Sequence, residues 1–242
     1  MPDNATDALL ALSARHAPPA DPEPARPRSL SELAYERFMA ALFDGRLTPG
    51  AVLSQNDLVR ILDVPVAPLR DALRVLHTEA LLTIHPRSGI ALAKPDFGMI
   101  RNTYQLRTIL ERTAIRSFAE SATRDLLEEL TLCQQAVIAA VAGREIDPAG
   151  AQAVERIDLA FHLQVVASLQ NPLIRTTYRQ ARSFDRLIRL DRAFRLSAPL
   201  VIRTMTEHLA ILEACRARDA DRAEAALEDH FARAMQRAMG CS

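Results

Sequence analysis

The chain has 242 residues, with 49% apolar and 25% charged side chains, enough for one large domain or two smaller ones. Thirty basic groups balance thirty acidic ones, so the formal net charge is zero. That excludes a global electrostatic attraction to nucleic acid or to an anionic membrane. In chain order, "MPDNATD" is acidic rather than basic, and the apolar "ALLALSARHA" that follows it makes a poor signal peptide. Residues 1–28 contain six prolines, and "APPADPEPARPRS" holds neither a helix nor a sheet ladder. They read as a disordered tail with, at most, a short transient helix at 5–14.

From Ser29 the pattern changes. "SLSELAYERFMAALFDG" opens on a serine cap and stops at Gly45, "LTPGAVL" reads as a turn, and "SQNDLVRILDV" is a second short helix capped by Ser54. A third helix, "APLRDALRVLHTEA", carries Pro68 in its first turn, where proline is tolerated. "LLTIHPRSGIALAKP" has two short apolar runs about a Pro/Ser/Gly turn, the pattern of a β-hairpin. After Pro95 six amphipathic segments follow, at about 97–120, 122–143, 149–169, 172–196, 198–217 and 220–239. Turn or cap signals separate them, and such short connections imply antiparallel neighbours. The predicted fold is mainly α: a tail (1–28), a winged helix-turn-helix (29–95) and an antiparallel six-helix bundle (96–240). No run approaches the roughly 18 apolar residues of a membrane span. Cys133, Cys215 and Cys241 are odd in number and lack metal-finger spacing, which fits a reducing cytoplasm.

Three short helices and a hairpin can place the third helix in a DNA major groove and the wing beside the backbone. The stretch "FMAALFDGRLTPGAVLSQNDLVRILDVPVAPLRDALRVLHTEALLTIHPRSGIALA" resembles the DNA-binding domain of the GntR family of bacterial repressors. The resemblance lies in "GRLTPG", the "LS" before helix two, "PLRDALRVL" and "EALLTIHPRSG". It implies that Arg70 and Arg74 meet phosphates or bases, that Asn56 lies where helix two faces DNA, and that Arg87 through Gly89 form the wing tip. Pro65-Val66-Ala67 departs from the family's Ser/Thr-Arg-Thr start of the recognition helix. An arginine able to grip guanine is thereby missing at Val66, and a capping hydroxyl at Ala67. Each lost base contact removes about 1–3 kcal/mol of discrimination.

The bundle carries the other chemistry. In "ERIDLAFHLQVVASL" Asp158 and His162 share a helix face, one turn apart. His208 and His230 lie equally far from residue 219 in the "RARDAD" turn, about 16 Å along each helix, and so at equal height in an antiparallel pair. One carboxylate and three imidazoles suit a divalent metal such as zinc, nickel or manganese. Taken singly, each histidine also fits an ordinary core or surface residue.

Six helices behind a GntR-type head resemble the FCD ligand-binding domain. That resemblance implies a divalent metal on Asp158, His162, His208 and His230, and a small organic acid as effector. In "LRTILE" it makes Arg107 the grip on the acid's carboxylate, although a salt bridge with Glu111 fits the same spacing. Arg175, Arg179, Arg182, Arg186 and Arg189 form a basic stripe, read either as a solvated or acid-paired face or as a second anion-binding surface.

The resulting expectation is a cytoplasmic homodimeric repressor that binds operator DNA and releases it under control of metal and effector. Two other classes fit the same residues. One is a metal-dependent enzyme, for which Glu207 and Asp229 are the nearest bases, each rotated about 100° from the ligand beside it. The other is a protein-interaction adaptor whose head no longer reads DNA.

Overall fold

The computed structural model describes residues 4–16, 29–191 and 196–240, in which there are ten helices and three strands. They divide into two compact units: one comprises 29–103 and 182–191, the other 4–16, 104–181 and 196–240. The disordered reading of 17–28 lies outside the described residues.

The first unit is the winged helix-turn-helix. Helix α2, Leu30–Phe43, starts at a capping box in which Ser29 accepts from the Glu32 amide and the Glu32 carboxylate accepts from the Ser29 amide. Ser54 and Asp57 repeat the device at α3, Gln55–Leu62. Helix α4, Val66–Thr78, has Pro65 at its N-cap and no side-chain cap. The missing capping group therefore belongs to position 65 rather than Ala67. Strands β2 (Leu82–His85) and β3 (Gly89–Leu92) form the expected hairpin. A third strand, β1 (Val52–Leu53), pairs antiparallel with β3 inside the stretch read as a turn, giving the order β1-β3-β2. Two residues are too few to show a period, so only pairing reveals them. Phe38, Leu58, Leu69 and Leu76 are fully buried at the centre. Leu187, from the part of helix α8 that belongs to this unit, is buried among them.

The second unit is helical throughout. It contains α1 (Asn4–Arg15), α6 (Arg124–Val141), α7 (Pro148–Ala167), α9 (Ala198–Arg216) and α10 (Ala220–Ala238). It also holds the greater part of α5 (Phe97–Ser121) and the first half of α8 (Pro172–Asp191). All six predicted bundle helices are present. Helices α9 and α10 pack against each other about the Ala217–Asp219 turn, and α6 packs on α9. The tail reading fails at its start, because α1 is a packed helix. Its Leu9 is 1% exposed among Val137, Val154, Ile157 and Met205, and His16 pairs with Glu129 at 3.5 Å. One buried leucine in a short apolar stretch outweighed the proline content downstream.

Candidate functional site

Asp158 and His162 sit one turn apart on α7, His208 on α9 and His230 on α10, all four essentially buried. One ring nitrogen from each histidine lies within 4.8 Å of the other two. Asp158 Oδ1 is 3.8 Å from His162 Nε2 and 3.7 Å from His208 Nε2. The centroids of the His208 and His230 rings are 4.8 Å apart, which is the meeting across the α9–α10 pair that equal spacing from residue 219 predicts.

What holds each ring is as informative as where it points. His162 Nδ1 donates to Glu111 Oε2 at 2.5 Å, His230 Nδ1 to Glu207 Oε2 at 2.8 Å and His208 Nδ1 to Gln134 Oε1 at 3.2 Å. Each Nδ1 carries its hydrogen toward an acceptor, so each Nε2 turns a lone pair inward. His162 Nε2 and His208 Nε2 are buried and have no hydrogen-bond partner among the described residues. An imidazole oriented through Nδ1 by a carboxylate or amide is the usual support of a metal ligand. Three such rings and a carboxylate fit a divalent cation of zinc, nickel or manganese type.

The electrostatics agree. Burial, with His230 and His162 beside it, holds the His208 ring well below the ordinary imidazole range. Burial also lowers His162, against the opposing pull of Glu111. Neutral rings are the form that ligates. Burial pushes the Glu207 carboxyl up, but the His230 hydrogen bond and the Arg237 guanidinium outweigh it and hold the group below its usual range.

Arg107, 1% exposed, lies on α5 in the same unit. Its Nε donates to Glu111 Oε1 at 3.0 Å, and its guanidinium lies 4.7 Å from the Phe231 ring centre. The salt bridge with Glu111, one of the two readings that the spacing allowed for Arg107, is therefore formed. Glu207, one of the two candidate bases, accepts from His230 Nδ1 of the cluster. Asp229 is exposed and pairs with Arg233 at 3.5 Å. The arginine stripe is partly consumed within its own unit: Arg182 and Arg189 each reach Asp185 at 3.2 Å, and Arg186 lies 3.7 Å above the Phe43 ring.

The DNA-facing candidates are exposed as expected, apart from Gly89, which is half-buried. Asn56 lies in the first turn of α3, and Arg70 and Arg74 on α4; Arg70 Nε reaches Gln55 at 3.4 Å and Arg74 pairs with Asp71 at 3.1 Å. Arg87 stands at the wing tip with φ 71°. Gly89 has φ +106°, and a Cβ there would lie 2.9 Å from the Leu53 carbonyl oxygen, so its role is to let β3 close on β1. Val66 is 40% exposed and presents an apolar surface where the family places an arginine.

Residues 30–92 match the family model "Bacterial regulatory proteins, gntR family", and residues 102–233 match the FCD domain. The chain belongs to the GntR family of DNA-binding transcription regulators, in the branch that carries an FCD domain, and not to an enzyme family. The HTH-type transcriptional repressor NanR of Klebsiella aerogenes is 27% identical over 232 residues, covering 84% of this chain and 83% of NanR. The Nta operon transcriptional regulator of Aminobacter aminovorans is 28% identical over 60% of this chain and 64% of its own length. The regulator YdhC of Bacillus subtilis is 26% identical, and the match spans 44% of its length. In fold the chain is similar to McbR/YncC of E. coli (TM-score 0.71, 17% identity, 88% of this chain and 99% of that one). A GntR regulator from Rhodococcus sp. RHA1 is similar too (TM-score 0.68, 20% identity, 89% and 100%).

Proposed function

We propose that the chain is a homodimeric cytoplasmic repressor whose helical unit binds a divalent metal through Asp158, His162, His208 and His230. A small carboxylate metabolite held in part by Arg107 then sets its affinity for operator DNA. The observation that carries this reading is the convergence of three buried imidazoles and one carboxylate, each ring oriented through Nδ1 by its own acceptor. Zinc is the favoured ion, because nitrogen-rich sets with one carboxylate suit it. When bound, the ion supplies a positive charge for an acid's oxygen, and Arg107 supplies a second cationic partner. A bound acid would be read as a change in how two heads fit half-sites about one helical turn apart. The relative NanR, a transcriptional repressor, supports the repressor reading.

Metal analysis of the purified protein and of His208→Ala tests the site. The parent retains stoichiometric metal through gel filtration and the variant loses it; equal metal in both overturns the assignment. Gel shifts with the protein's own upstream region, with and without small carboxylates, test the regulation. Release by an acid that needs the metal is expected, and no specific shift at low salt overturns DNA reading. Equal affinity for operator and random DNA would favour the adaptor reading instead.

A further inference from the structure

One carboxylate in the cluster has two buried partners of different kinds. Glu111 Oε1 accepts from Arg107 Nε at 3.0 Å, one turn earlier on α5, and Glu111 Oε2 accepts from His162 Nδ1 at 2.5 Å, on α7. The side chains of Arg107 and His162 are 1% exposed, and that of Glu111 is wholly buried. A carboxylate fixed through both oxygens cannot swing. Being acceptor-only when ionised, it also obliges His162 to carry its proton on Nδ1. The lone pair then stands on Nε2, the atom 3.8 Å from Asp158 Oδ1.

The other two rings are held differently. His230 rests on Glu207, whose arginine neighbours stand at 3.5–3.6 Å. His208 rests on the Gln134 amide oxygen, an uncharged acceptor.

We propose that Glu111 is a positioning residue that ties the arginine anchor to one ligand of the cluster, so that Arg107, Glu111 and His162 act as one relay. This rests on the reading of His162 as a metal ligand and Arg107 as a carboxylate anchor. An acid that engages Arg107 and a cation at His162 then bias the same side chain. Each changes the other's affinity by the same factor.

The test is the ring tautomer of His162, read by 15N NMR in metal-stripped protein at a pH well above the imidazole range. In the parent the hydrogen is on Nδ1. In Glu111→Gln the charged Arg107 claims the amide oxygen, the NH2 faces His162, and the ring must shift to the Nε2–H form. His208 and His230 keep theirs. In the double variant Arg107→Met/Glu111→Gln the amide is free to turn its oxygen to His162, and the Nδ1–H form returns. A merely structural role for Glu111 gives no such reversal.

Zinc alone is the second probe, with an expected loss of 10–100-fold in affinity for E111Q and partial recovery in the double variant. If E111Q does not fold, Arg107→Met carries the test. Loosening Glu111 weakens zinc several-fold, whereas removing a nearby positive charge alone would tighten it. An unchanged His162 tautomer in E111Q, no reversal in the double variant, or tighter zinc in R107M overturns the relay. A parent protein that binds no zinc overturns the metal reading instead, and the tautomer result still decides the relay.

Discussion

Burying an imidazole has a consequence that a melting curve can read. His208 and His162 are fully buried and held below the ordinary imidazole range by that burial. In the unfolded chain both rings titrate near a pKa of about 6.5. Below that pH the unfolded state binds more protons than the folded one, so stability is present above about 6.5 and drains away as pH falls. Metal-stripped protein should therefore melt at a lower temperature at pH ~5.5 than at pH ~7.5, and a flat profile would count against neutral buried rings. Asp158 and His162 were legible because i, i+4 spacing is a local signal. His208 and His230 were legible because two helices about one turn share a height. Gln134 was not, since 74 residues separate it from His208 and nothing in its own neighbourhood marks it.

Among the elements, the long helices could be read from period and caps, with bounds shifted by a few residues. Strand β1 could not, being too short for a pattern, and helix α1 was legible only as a transient helix at 5–14, because its lasting order comes from packing on α6 and α7. The α9–α10 turn shows a further device hidden from sequence. Arg218, at φ 58°, donates to the carbonyls of Ala119 and Ala122, 2.7 Å each, and so closes the C-terminal end of α5. Arg218→Ala should cost about 1–3 kcal/mol in denaturant unfolding, from loss of charge-assisted hydrogen bonds to helix-end carbonyls. No change in midpoint would show that water replaces the guanidinium without loss. On α4, exposed Val66 offers the converse experiment. Val66→Arg should tighten binding to random DNA and steepen the salt dependence by about one unit of slope. An unaltered slope would place position 66 away from the phosphates.

For the whole molecule, a net charge of zero means that affinity for DNA must come from placement of a few arginines rather than from bulk field. The two family matches occupy separate stretches, 30–92 and 102–233, yet packing does not respect chain order. Residues 182–191 count with the winged head and 4–16 with the bundle. Contact across such distances in sequence leaves no periodic trace, which is why neither exchange was legible. The placement of α1 makes the chain divisible. If a protease site were engineered between residues 16 and 29, the peptide that carries Leu9 should remain bound to the rest after cleavage, held by the apolar cluster that buries it. Gel filtration of the cut protein would show the two pieces eluting together, and Leu9→Asp should separate them. The first helix is then a natural seam for fragment complementation.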